Sequence, residues 1–412
     1  MHSTLAHSAA TQHYLELEDK YGAHNYHPLP VVLTRGEGVY VWDVDGKKYY
    51  DFLSGYSAVN QGHCHPAIVA AFIEQAKKLT LTSRAFHSDG LAQYAQYITE
   101  YFGYDKVLPM NTGVEAVETA IKLARRWGYT VKGIAENHAK IIVCANNFHG
   151  RTSTVISFST DPSSFSGFGP FMPGFEVIPY NDLPALAAAL QHNNVAGFLA
   201  EPIQGEAGVV IPDDGWLATA KQYCEDANVL FIADEIQTGL CRTGKMLACE
   251  HENVRPDILI LGKALSGGML PVSAVLADDT VMMTIKPGEH GSTYGGNPLA
   301  CATAIVSLQV LKDEHMAANA AAMGQLLREG LAALQSPFIQ LIRGRGLLNA
   351  IVIQHPAKEA AWDLCISLKE NGLLAKPTHG DKIRFAPPLV INKDQVMECV
   401  QIISKSLQVL QA

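Results

Sequence analysis

Two short apolar runs in the middle of the chain each lead into a residue that can do chemistry. Val229–Ala233 is followed directly by Asp234, and Ile258–Leu261 is followed, after one glycine, by Lys263. Both runs have the length and composition of buried strands. Open parallel sheets bind ligands just outside the carboxyl ends of their strands. We therefore expect Asp234 and Lys263 to lie near each other at one edge of a sheet.

An acid and an amine at neighbouring strand ends suit the chemistry of pyridoxal phosphate. This cofactor needs an amine to hold its aldehyde as a Schiff base. It also needs a carboxylate that keeps its ring nitrogen protonated, so that the ring withdraws electrons. A buried structural ion pair is the alternative, and for a lone Asp234 and a lone Lys263 it would be the commoner arrangement. The surrounding residues decide between the two.

The motifs around both residues resemble those of a known enzyme family. DEIQTG and LGKALSGG are similar to the signature of the class III, fold type I pyridoxal-phosphate aminotransferases. Further motifs resemble the ornithine aminotransferases within that family: GAHNYHPLP, SAVNQGHCHP, NTGVEAVETA, EPIQGEAGV, GSTYGGNPL and KPTHGDKIRFAPPLVI. The resemblance extends from Tyr21 to the last predicted helix, Lys393–Leu410.

The resemblance assigns four side chains to the ring and aldehyde of the cofactor. Lys263 would form the Schiff base and, once released, carry the proton between substrate carbon and cofactor. Asp234 would meet the ring nitrogen in a charge-assisted hydrogen bond. Gln237 would donate to the phenolic oxygen. Phe148 would stack on the ring face, although its residue type alone favours ordinary core packing.

The phosphate of the cofactor is expected at the start of a helix. Thr112 and Glu115 have the spacing of a capping box, and a helix that begins at glycine offers free N–H groups and a favourable dipole to an anion. The same local pattern is common in ordinary capped helices. By resemblance, the backbone of Gly113 and Val114 and the hydroxyl of Thr293 bind the phosphate. Thr293 comes from the other subunit in the family, so a homodimer would complete each site.

Five residues would bind substrate. A lone arginine is usually a solvated charge, but two that converge on a cofactor suggest bidentate carboxylate binding. By resemblance, Arg151 and Tyr26 hold the α-carboxylate of ornithine far from the ring. Arg384 would hold the α-carboxylate of 2-oxoglutarate or glutamate, and Glu206 would form a partly exposed, displaceable pair with Arg384 while ornithine is bound. Tyr56, like Tyr26, favours ornithine, because ring hydroxyls can serve a free α-amino acid head.

Two more residues of these motifs lie close to the predicted site. Glu201 follows another predicted strand, and we expect it to support the site as an acid. His149 follows Phe148 directly, at a position where the family also has an aromatic residue. We assign His149 no catalytic role.

The resemblance implies the activity of an ornithine aminotransferase that works as a homodimer. Such an enzyme moves the δ-amino group of L-ornithine to 2-oxoglutarate. The products are L-glutamate and glutamate 5-semialdehyde, which cyclises to pyrroline-5-carboxylate and so connects arginine metabolism with proline biosynthesis. Acetylornithine and 4-aminobutyrate aminotransferases share the cofactor residues and remain alternatives. A cofactor-binding protein that does not transaminate is disfavoured, because Lys263, Asp234 and Gln237 form a complete set.

Composition limits the class of protein and its partners. The 412 residues carry a net charge of −9 and no basic cluster, which disfavours a nucleic-acid partner. No apolar run has the length of a membrane span. The eight cysteines are scattered without a C-x-x-C pair, which favours reduced thiols in a cytoplasmic compartment. The N-terminus shows neither a signal peptide nor a transit pattern, although a protein already trimmed of such a peptide would look the same.

The tripeptide His63-Cys64-His65 contains residue types that bind metals. Pro66 follows at once, and proline in the first helical position is typical of a helix entry. We therefore predict a helix that begins at Pro66 and no metal site here.

Strands and helices alternate through the middle of the chain. Strand candidates are Ile141–Ala145, Val155–Phe158, Phe175–Ile178, Gly197–Ala200, Val229–Ala233, Ile258–Leu261 and Val272–Ala277. Leu183–Leu190 and Trp216–Ala227 are predicted helices between them. This order favours an α/β fold, a mostly parallel seven-stranded sheet covered by helices, as in fold type I aminotransferases. No G-x-G-x-x-G follows the first strand, which disfavours a nicotinamide-dependent Rossmann enzyme.

The two flanks of the chain are predicted to form a smaller α+β unit. We expect an N-terminal segment at residues 1–56, a large cofactor-binding domain at 57–315 and a small C-terminal domain at 316–412. Met1–Pro30 is polar and poorly patterned, and is expected to wrap over a surface or a partner. Val39–Val44 and Lys47–Phe52 flank Asp45-Gly46, which is the signal of a β-hairpin.

Overall fold

The structure is a computed structural model that describes residues 8–411. Its strands are β1 (Leu33–Glu37), β2 (Tyr40–Asp43), β3 (Lys48–Asp51), β4 (Lys106–Met110), β5 (Lys140–Cys144), β6 (Phe175–Ile178), β7 (Val195–Ala200), β8 (Leu230–Asp234), β9 (Ile258–Leu261), β10 (Ser273–Ala277), β11 (Ile339–Arg345), β12 (Leu348–Ile353), β13 (Leu373–Leu374), β14 (Lys376–Thr378) and β15 (Lys382–Phe385). Its α-helices are α1 (Ala9–Tyr21), α2 (Ser54–Ser57), α3 (Pro66–Ala76), α4 (Asp89–Phe102), α5 (Gly113–Thr130), α6 (Pro162–Phe165), α7 (Leu183–Ala189), α8 (Trp216–Asp226), α9 (Asp279–Met282), α10 (Pro298–Asp313), α11 (Met316–Ala333), α12 (Ala360–Glu370) and α13 (Lys393–Ser406). Short 3₁₀ helices cover Val155–Phe158, Ala248–Glu252, Lys263–Ser266 and Leu407–Gln411.

Seven strands form the central sheet in the order β4-β10-β9-β8-β7-β5-β6. Only β10 runs antiparallel to its neighbours. Alternate residues of each strand face two different hydrophobic cores. Ile141 and Val143 pack in the core that contains α5, whereas Ile142 and Cys144 pack in the core that contains α7 and α8. Burial on both faces explains why these strands read as continuous apolar runs, and the predicted α/β fold is confirmed.

One of the predicted strands is wrong. Val155–Phe158 is a 3₁₀ helix, and β4 takes its place in the count of seven. The apolar residues of the 3₁₀ helix are buried against the α5 core, and Ser157 donates to the carbonyl of Ser153, a local bond that competes with strand pairing. The sequence did not reveal β4 because it contains Pro109. A proline is tolerated there because β4 is an edge strand.

The N- and C-terminal parts of the chain share one sheet. The predicted hairpin is confirmed as β2 and β3, and β13 pairs in parallel with β3 to give the order β1-β2-β3-β13. A further sheet, in the order β11-β12-β15-β14, carries the C-terminal strands. Met1–Pro30 was expected to be irregular, but within it α1 begins after Ser8, whose side chain accepts from the amide of Thr11. The first seven residues lie outside the described part. The domain boundaries stay a prediction.

The predicted helix entry at Pro66 is confirmed, since α3 begins there. The imidazoles before it have carboxylate partners: His63 Nε2 lies 2.7 Å from Asp51, and His65 Nε2 lies 2.9 Å from Glu314. No group of three or more potential metal ligands is arranged around an ion site within residues 8–411. In the same range, each helix is too short or too polar to cross a membrane.

Helix α5 begins beside the carboxyl edge of the central sheet, and its first turn is fixed by side chains. The predicted capping box is present: Glu115 Oε2 accepts from the amides of Asn111 and Thr112 at 3.0 and 2.8 Å, and Thr112 Oγ1 accepts from the amide of Glu115. The first N–H groups of the helix, at Gly113 and Val114, have no carbonyl within the helix to bind.

We expect Glu115→Ala to lower the free energy of unfolding by about 1 kcal/mol or more, because two backbone N–H groups lose their acceptor. Glu115→Gln should cost less, since an amide oxygen can still accept. Glu100→Ala is the matched control, because Glu100 is an exposed helical glutamate whose side chain, among residues 8–411, accepts only from Gln96. Chemical denaturation without ligands provides the measurement. Equal losses for Glu115→Ala and Glu100→Ala would contradict the capping role.

Candidate active site

Three parallel neighbours in the central sheet end at the same edge, and each leads into an ionisable residue. Asp234 closes β8 and is paired with Ile260 of β9, three residues before Lys263. The last residue of β7 is paired with Ala233, and Glu201 follows it directly. The register of β7, β8 and β9 therefore brings two acids and an amine together, as the sequence predicts for Asp234 and Lys263.

A pocket of about 180 Å³ lies at this edge of the sheet. It contains seven of the predicted site residues, together with Glu201, His149 and two neighbours. The lining residues are Gly113, Val114, Phe148, His149, Gly150, Glu201, Glu206, Asp234, Ile236, Gln237 and Lys263.

Lys263 is the first residue of a 3₁₀ helix and has a left-handed backbone, with φ of 46°. This conformation is strained for a side chain with a Cβ and persists only where packing holds it. Gln61 contributes by donating to the carbonyl of Ala264 at 3.0 Å. Burial lowers the pKa of Lys263, although the carboxylates of Glu206 and Asp234 oppose that shift. More of the amine is therefore neutral and nucleophilic near pH 7.

Asp234 is buried, and both of its carboxylate oxygens are held. Oδ1 accepts from the amide of Ile236 at 3.1 Å, and Oδ2 lies 2.7 Å from Nδ1 of His149. Burial alone would lower the pKa of His149, but the hydrogen bond and charge of Asp234, with the charge of Glu201, raise it above its usual value. From the sequence we assign His149 no catalytic role, and that assignment stays a prediction. The structure places its imidazole in direct contact with Asp234.

Glu201 lies on the other side of the segment that carries His149. Its Oε1 accepts from the amide of Phe148 at 2.9 Å. Burial raises the pKa of Glu201 to about 7, with the charge of His149 opposing the rise. The Phe148 side chain lines the pocket, and the guanidinium carbon of Arg151 lies 5.7 Å from its ring centroid.

Glu206 and Arg384 form an ion pair above the pocket. Glu206 Oε1 accepts from Nη1 of Arg384 at 2.6 Å and from Nε2 of Gln237 at 3.1 Å. Burial would raise the pKa of Glu206, but the charges of Arg384 and Lys263 hold it below its usual value. Nε of Arg384 is buried and has no hydrogen-bond partner among the described residues. The guanidinium therefore has a donor to spare.

The remaining substrate residues lie around this pair. Arg384 lies 5.1 Å from the ring centroid of Tyr56. Burial raises the pKa of Tyr56, and Arg384, Tyr26 and Arg151 also act on it, so these three residues lie within electrostatic reach of Tyr56. Tyr26 is 66% exposed in the segment between α1 and β1, with Nζ of Lys376 at 5.9 Å from its ring centroid.

Thr293 is not brought to the pocket of its own chain. It is exposed, and it does not line the pocket described above. The preceding residue, Ser292, accepts from Nδ2 of Asn111 at 2.8 Å, which ties the loop beside the start of α5. Thr293 therefore lies outside the pocket that contains the phosphate cradle predicted at Gly113.

Sequence reasoning missed two residues besides His149. A Cβ on Gly205 would lie 1.4 Å from Oε1 of Gln237, so only glycine allows Gln237 its position. Ile236 packs between Gly113 and Gly262, where an added Cβ would fall 3.0 and 3.3 Å, respectively, from the Ile236 side chain. Their positions in the sequence could have indicated them, because Gly205 lies in the motif EPIQGEAG and Ile236 lies in the motif DEIQTG.

The pocket fits pyridoxal phosphate in the chemistry of its donors. Lys263 offers an amine for an aldehyde, and Asp234 offers a fixed carboxylate for a ring nitrogen. The first N–H groups of α5, at Gly113 and Val114, are free, and this end of a helix favours a bound anion. Phe148 offers an aromatic face beside these groups. Buried polar atoms without a partner among residues 8–411, including Oε1 of Gln237 and Nε2 of His149, are typical of a site built around a ligand.

Comparison with known proteins identifies the family of the chain. The family described as Aminotransferase class-III matches residues 21–407. The chain is 63% identical over 398 residues to the ornithine aminotransferase, mitochondrial, of Rattus norvegicus, covering 97% of this chain and 91% of that protein. It is similar to the ornithine aminotransferase structure from Toxoplasma gondii ME49, with a TM-score of 0.96, 49% identity and coverage of 99% and 96%. It is also similar to the acetylornithine aminotransferase structure from Elizabethkingia anophelis, with a TM-score of 0.89, 58% identity and coverage of 97% and 99%. The chain therefore belongs to the class III aminotransferase family.

Proposed function

We propose that the protein transfers the δ-amino group of L-ornithine to 2-oxoglutarate, with pyridoxal phosphate as cofactor. The observation that carries this proposal is the Glu206–Arg384 pair, which stands over the pocket of Lys263 and Asp234. An arginine that is paired with a glutamate until a second carboxylate arrives suits an enzyme whose two substrates differ in their number of carboxylates. The relatives named as ornithine aminotransferases support the same activity.

Pyridoxal phosphate, when bound, supplies an electron-withdrawing ring that stabilises negative charge on the substrate carbon that loses a proton. Lys263 would hold its aldehyde end, Asp234 its ring nitrogen and Gln237 its phenolic oxygen. The backbone of Gly113 and Val114 would hold its phosphate. Once released from the aldehyde by the substrate amine, Lys263 Nζ would take the proton from the substrate carbon, and burial, which lowers its pKa, favours the neutral form that this role requires.

For ornithine, the chain offers Arg151 and Tyr26 to the α-carboxylate. Arg151 is exposed beside the ring of Phe148, and Tyr26 is exposed in the segment before β1. Because Glu206 occupies Arg384, the α-carboxylate cannot bind there, and the δ-amine is the one that reaches the pocket.

For 2-oxoglutarate or glutamate, the substrate carboxylate displaces Glu206 and binds Arg384. The side chains of Arg384 and Glu206 are only 5% and 21% exposed, so the pair is more buried than an ordinary surface ion pair and more buried than expected from the sequence. Removing the anion from a buried guanidinium costs several kcal/mol. The incoming carboxylate must therefore take over the contacts of Glu206 as it leaves.

We also propose a homodimer with sites at the interface, and a cytoplasmic location. The exposure of Thr293 away from its own pocket supports a role across the interface. The rat relative carries "mitochondrial" in its name. The roles in proline biosynthesis and arginine metabolism follow from the proposed reaction.

Acetylornithine is the second candidate substrate, favoured by the likeness to the Elizabethkingia anophelis protein. It differs from ornithine in carrying an acetyl group on the α-amine. Tyr56 and Tyr26 present hydroxyls that suit a free α-amino acid head, which favours ornithine. A substrate panel separates the two.

With ornithine, acetylornithine and 4-aminobutyrate as donors to 2-oxoglutarate, we expect the highest kcat/KM for ornithine. Pyrroline-5-carboxylate, detected with o-aminobenzaldehyde, should be the product. Lys263→Ala should lose at least about 10²–10⁴-fold in rate, the range for a positioned acid–base group. A higher kcat/KM for acetylornithine would move the assignment to that substrate. Full activity of Lys263→Ala would remove Lys263 from the reaction.

Glu206→Ala should unmask Arg384. We expect δ-transfer from ornithine to slow, α-transfer from ornithine to appear, and glutamate use to persist, because Arg384 then accepts any α-carboxylate. Single-turnover kinetics of each half-reaction, with product analysis, gives the measurement. Glu206→Gln removes the charge of Glu206 but keeps the size of its side chain, so it shows which of the two matters. The control is Asp381→Ala, which breaks an ion pair with Lys382. Unchanged δ-selectivity and rate in Glu206→Ala would refute the switch.

Mixing two inactive variants tests whether Thr293 acts across the interface. A hybrid of Lys263→Ala and Thr293→Arg would have one site with both defects and one with neither. Random pairing should then restore about a quarter of the sites. Mixing Lys263→Ala with Asp234→Ala is the control. Lys263 and Asp234 of one chain line the same pocket, so each pocket of that hybrid would carry one defect and no activity should return. No recovery after demonstrated subunit exchange would assign Thr293 to its own subunit.

A further inference from the structure

We propose that His290 is a positioning residue for the cofactor site of the partner subunit. It anchors the loop of residues 289–293 on α5, so the helix that begins with one phosphate cradle also holds Thr293 for the phosphate in the partner subunit. This inference rests on the proposed function, in which Thr293 acts across the interface. The loop lies between α9 and α10, and the transamination chemistry above does not use its imidazole.

One stripe of α5 makes polar contacts with the 289–293 loop. At the start of the stripe, the amide of Asn111 donates to Glu115 at 3.0 Å, and Nδ2 of Asn111 donates to Oγ of Ser292 at 2.8 Å. At its end, Nη2 of Arg126 lies 2.8 Å from Oε1 of Glu289. The loop therefore runs along the helix in the opposite direction. The helical residues of the stripe are three or four positions apart, which places them on one face: Glu115, Thr119, Lys122 and Arg126.

His290 lies at the middle of this stripe, and each of its ring nitrogens has a partner. Oγ1 of Thr119 lies 2.8 Å from Nε2 and donates its own proton to the carbonyl of Glu115 at 2.7 Å. Nε2–H must therefore donate to Thr119. Nζ of Lys122 lies 2.9 Å from Nδ1, and an ammonium can only donate. The two contacts together select the neutral imidazole with its proton on Nε2.

The surroundings keep His290 in this neutral form. Burial and the charge of Lys122 lower its pKa, with the charge of Glu115 opposing them. Near pH 7, Nδ1 therefore keeps the lone pair that accepts from Lys122. Thr119 is fully buried, so the imidazole is bound to a part of the helix that packs in the protein interior.

The same contacts order the backbone around Thr293. His290 and Ser292 are anchored before it, and Oγ of Ser292 also accepts from the amide of Gly295 at 3.1 Å, beyond it. Thr293 itself is exposed. A loop that is already ordered loses less conformational entropy when its threonine binds a phosphate across the interface. Cofactor affinity in one subunit should therefore depend on His290 of the chain that supplies Thr293.

Three variants separate the parts of this contact. His290→Leu keeps much of the bulk but removes both hydrogen bonds. His290→Gln places an amide N–H at the position of Nε2 and can still donate to Thr119. Thr119→Val removes the hydroxyl from the other side of the contact. His138→Leu is the matched control, because His138 is an exposed histidine between α5 and β5 whose Nδ1 lies 2.8 Å from the carbonyl of Glu136.

The test follows the occupancy of Lys263 by pyridoxal phosphate. The apo protein is titrated with the cofactor, borohydride fixes the cofactor to Lys263, and the mass of each intact chain gives its occupancy. We expect Kd to rise about tenfold in the His290→Leu homodimer, the scale of one hydrogen bond to a charged group. His290→Gln should restore most of the affinity, and His138→Leu should bind as wild type does.

Hybrid dimers, isolated with two different affinity tags, show which subunit is affected. A wild-type chain paired with a chain that carries both His290→Leu and Lys263→Ala has an intact pocket but receives the altered loop. Its Kd should show the same rise as the His290→Leu homodimer. In the hybrid of His290→Leu with Lys263→Ala, the only pocket with a lysine receives an intact loop, and its Kd should equal that of wild type. A local defect in α5 would give the opposite pattern, because each α5 forms the cradle of its own chain.

A wild-type Kd for the wild-type chain of the first hybrid, or for the His290→Leu homodimer, would overturn the positioning role. Equal Kd values for His290→Gln and His290→Leu would overturn it too. If circular dichroism shows that His290→Leu does not fold, Thr119→Val in the same hybrids decides by the same criteria.

A chain with Thr293→Arg and Lys263→Ala, paired with wild type, separates this inference from the proposed function. If its wild-type chain binds the cofactor normally, Thr293 does not act across the interface, and the role of His290 fails with that proposal. If its wild-type chain binds weakly while the His290→Leu hybrid binds normally, only the role of His290 fails.

Discussion

The pocket is organised by the need to bury the carboxylate of Asp234. An isolated carboxylate inside a protein costs several kcal/mol, so it must meet donors or cations wherever it is placed. At the end of β8 it meets His149 at 2.7 Å and the amide of Ile236 at 3.1 Å. Those partners come from different segments, after β5 and after β8. The folding of both loops is therefore coupled to a single charge.

Neighbouring acids in this pocket differ in ionisation because their partners differ. Glu206 has Arg384 within 2.6 Å, and its pKa lies below the usual value. Glu201 has only a backbone N–H, and burial raises its pKa to about 7. Environments that push the pKa values of similar groups apart give them different roles. Glu206 is the ionised partner of Arg384, which the proposed function has a substrate carboxylate replace, whereas Glu201 accepts from the backbone of Phe148.

The hydrophobic pattern allowed prediction of the site residues at strand ends, whereas Phe148 and Glu206, which lie on loops, were predicted only by resemblance. Asp234 and Lys263 were predictable because parallel strands place their carboxyl ends at one edge. The contact of His149 was not, because loop conformation decides whether a histidine after Phe148 turns toward Asp234. Val155–Phe158 was mistaken for a strand because a short buried 3₁₀ helix has the same apolar composition. These failures are of local geometry, which a hydrophobic pattern does not contain.

Glu206 connects the substrate end of the site with the cofactor end. One oxygen accepts from both Arg384, on β15 of the C-terminal sheet, and Gln237, after β8 of the central sheet. Gly205 lets Gln237 approach this closely, because any side chain there would overlap its amide. In the proposed reaction, a substrate carboxylate that displaces Glu206 would remove this acceptor from Gln237 while giving Arg384 a new one. The amide of Gln237 would then be free to bind elsewhere in the pocket, which would link the choice of substrate to the hydrogen bonding at the cofactor end through one carboxylate.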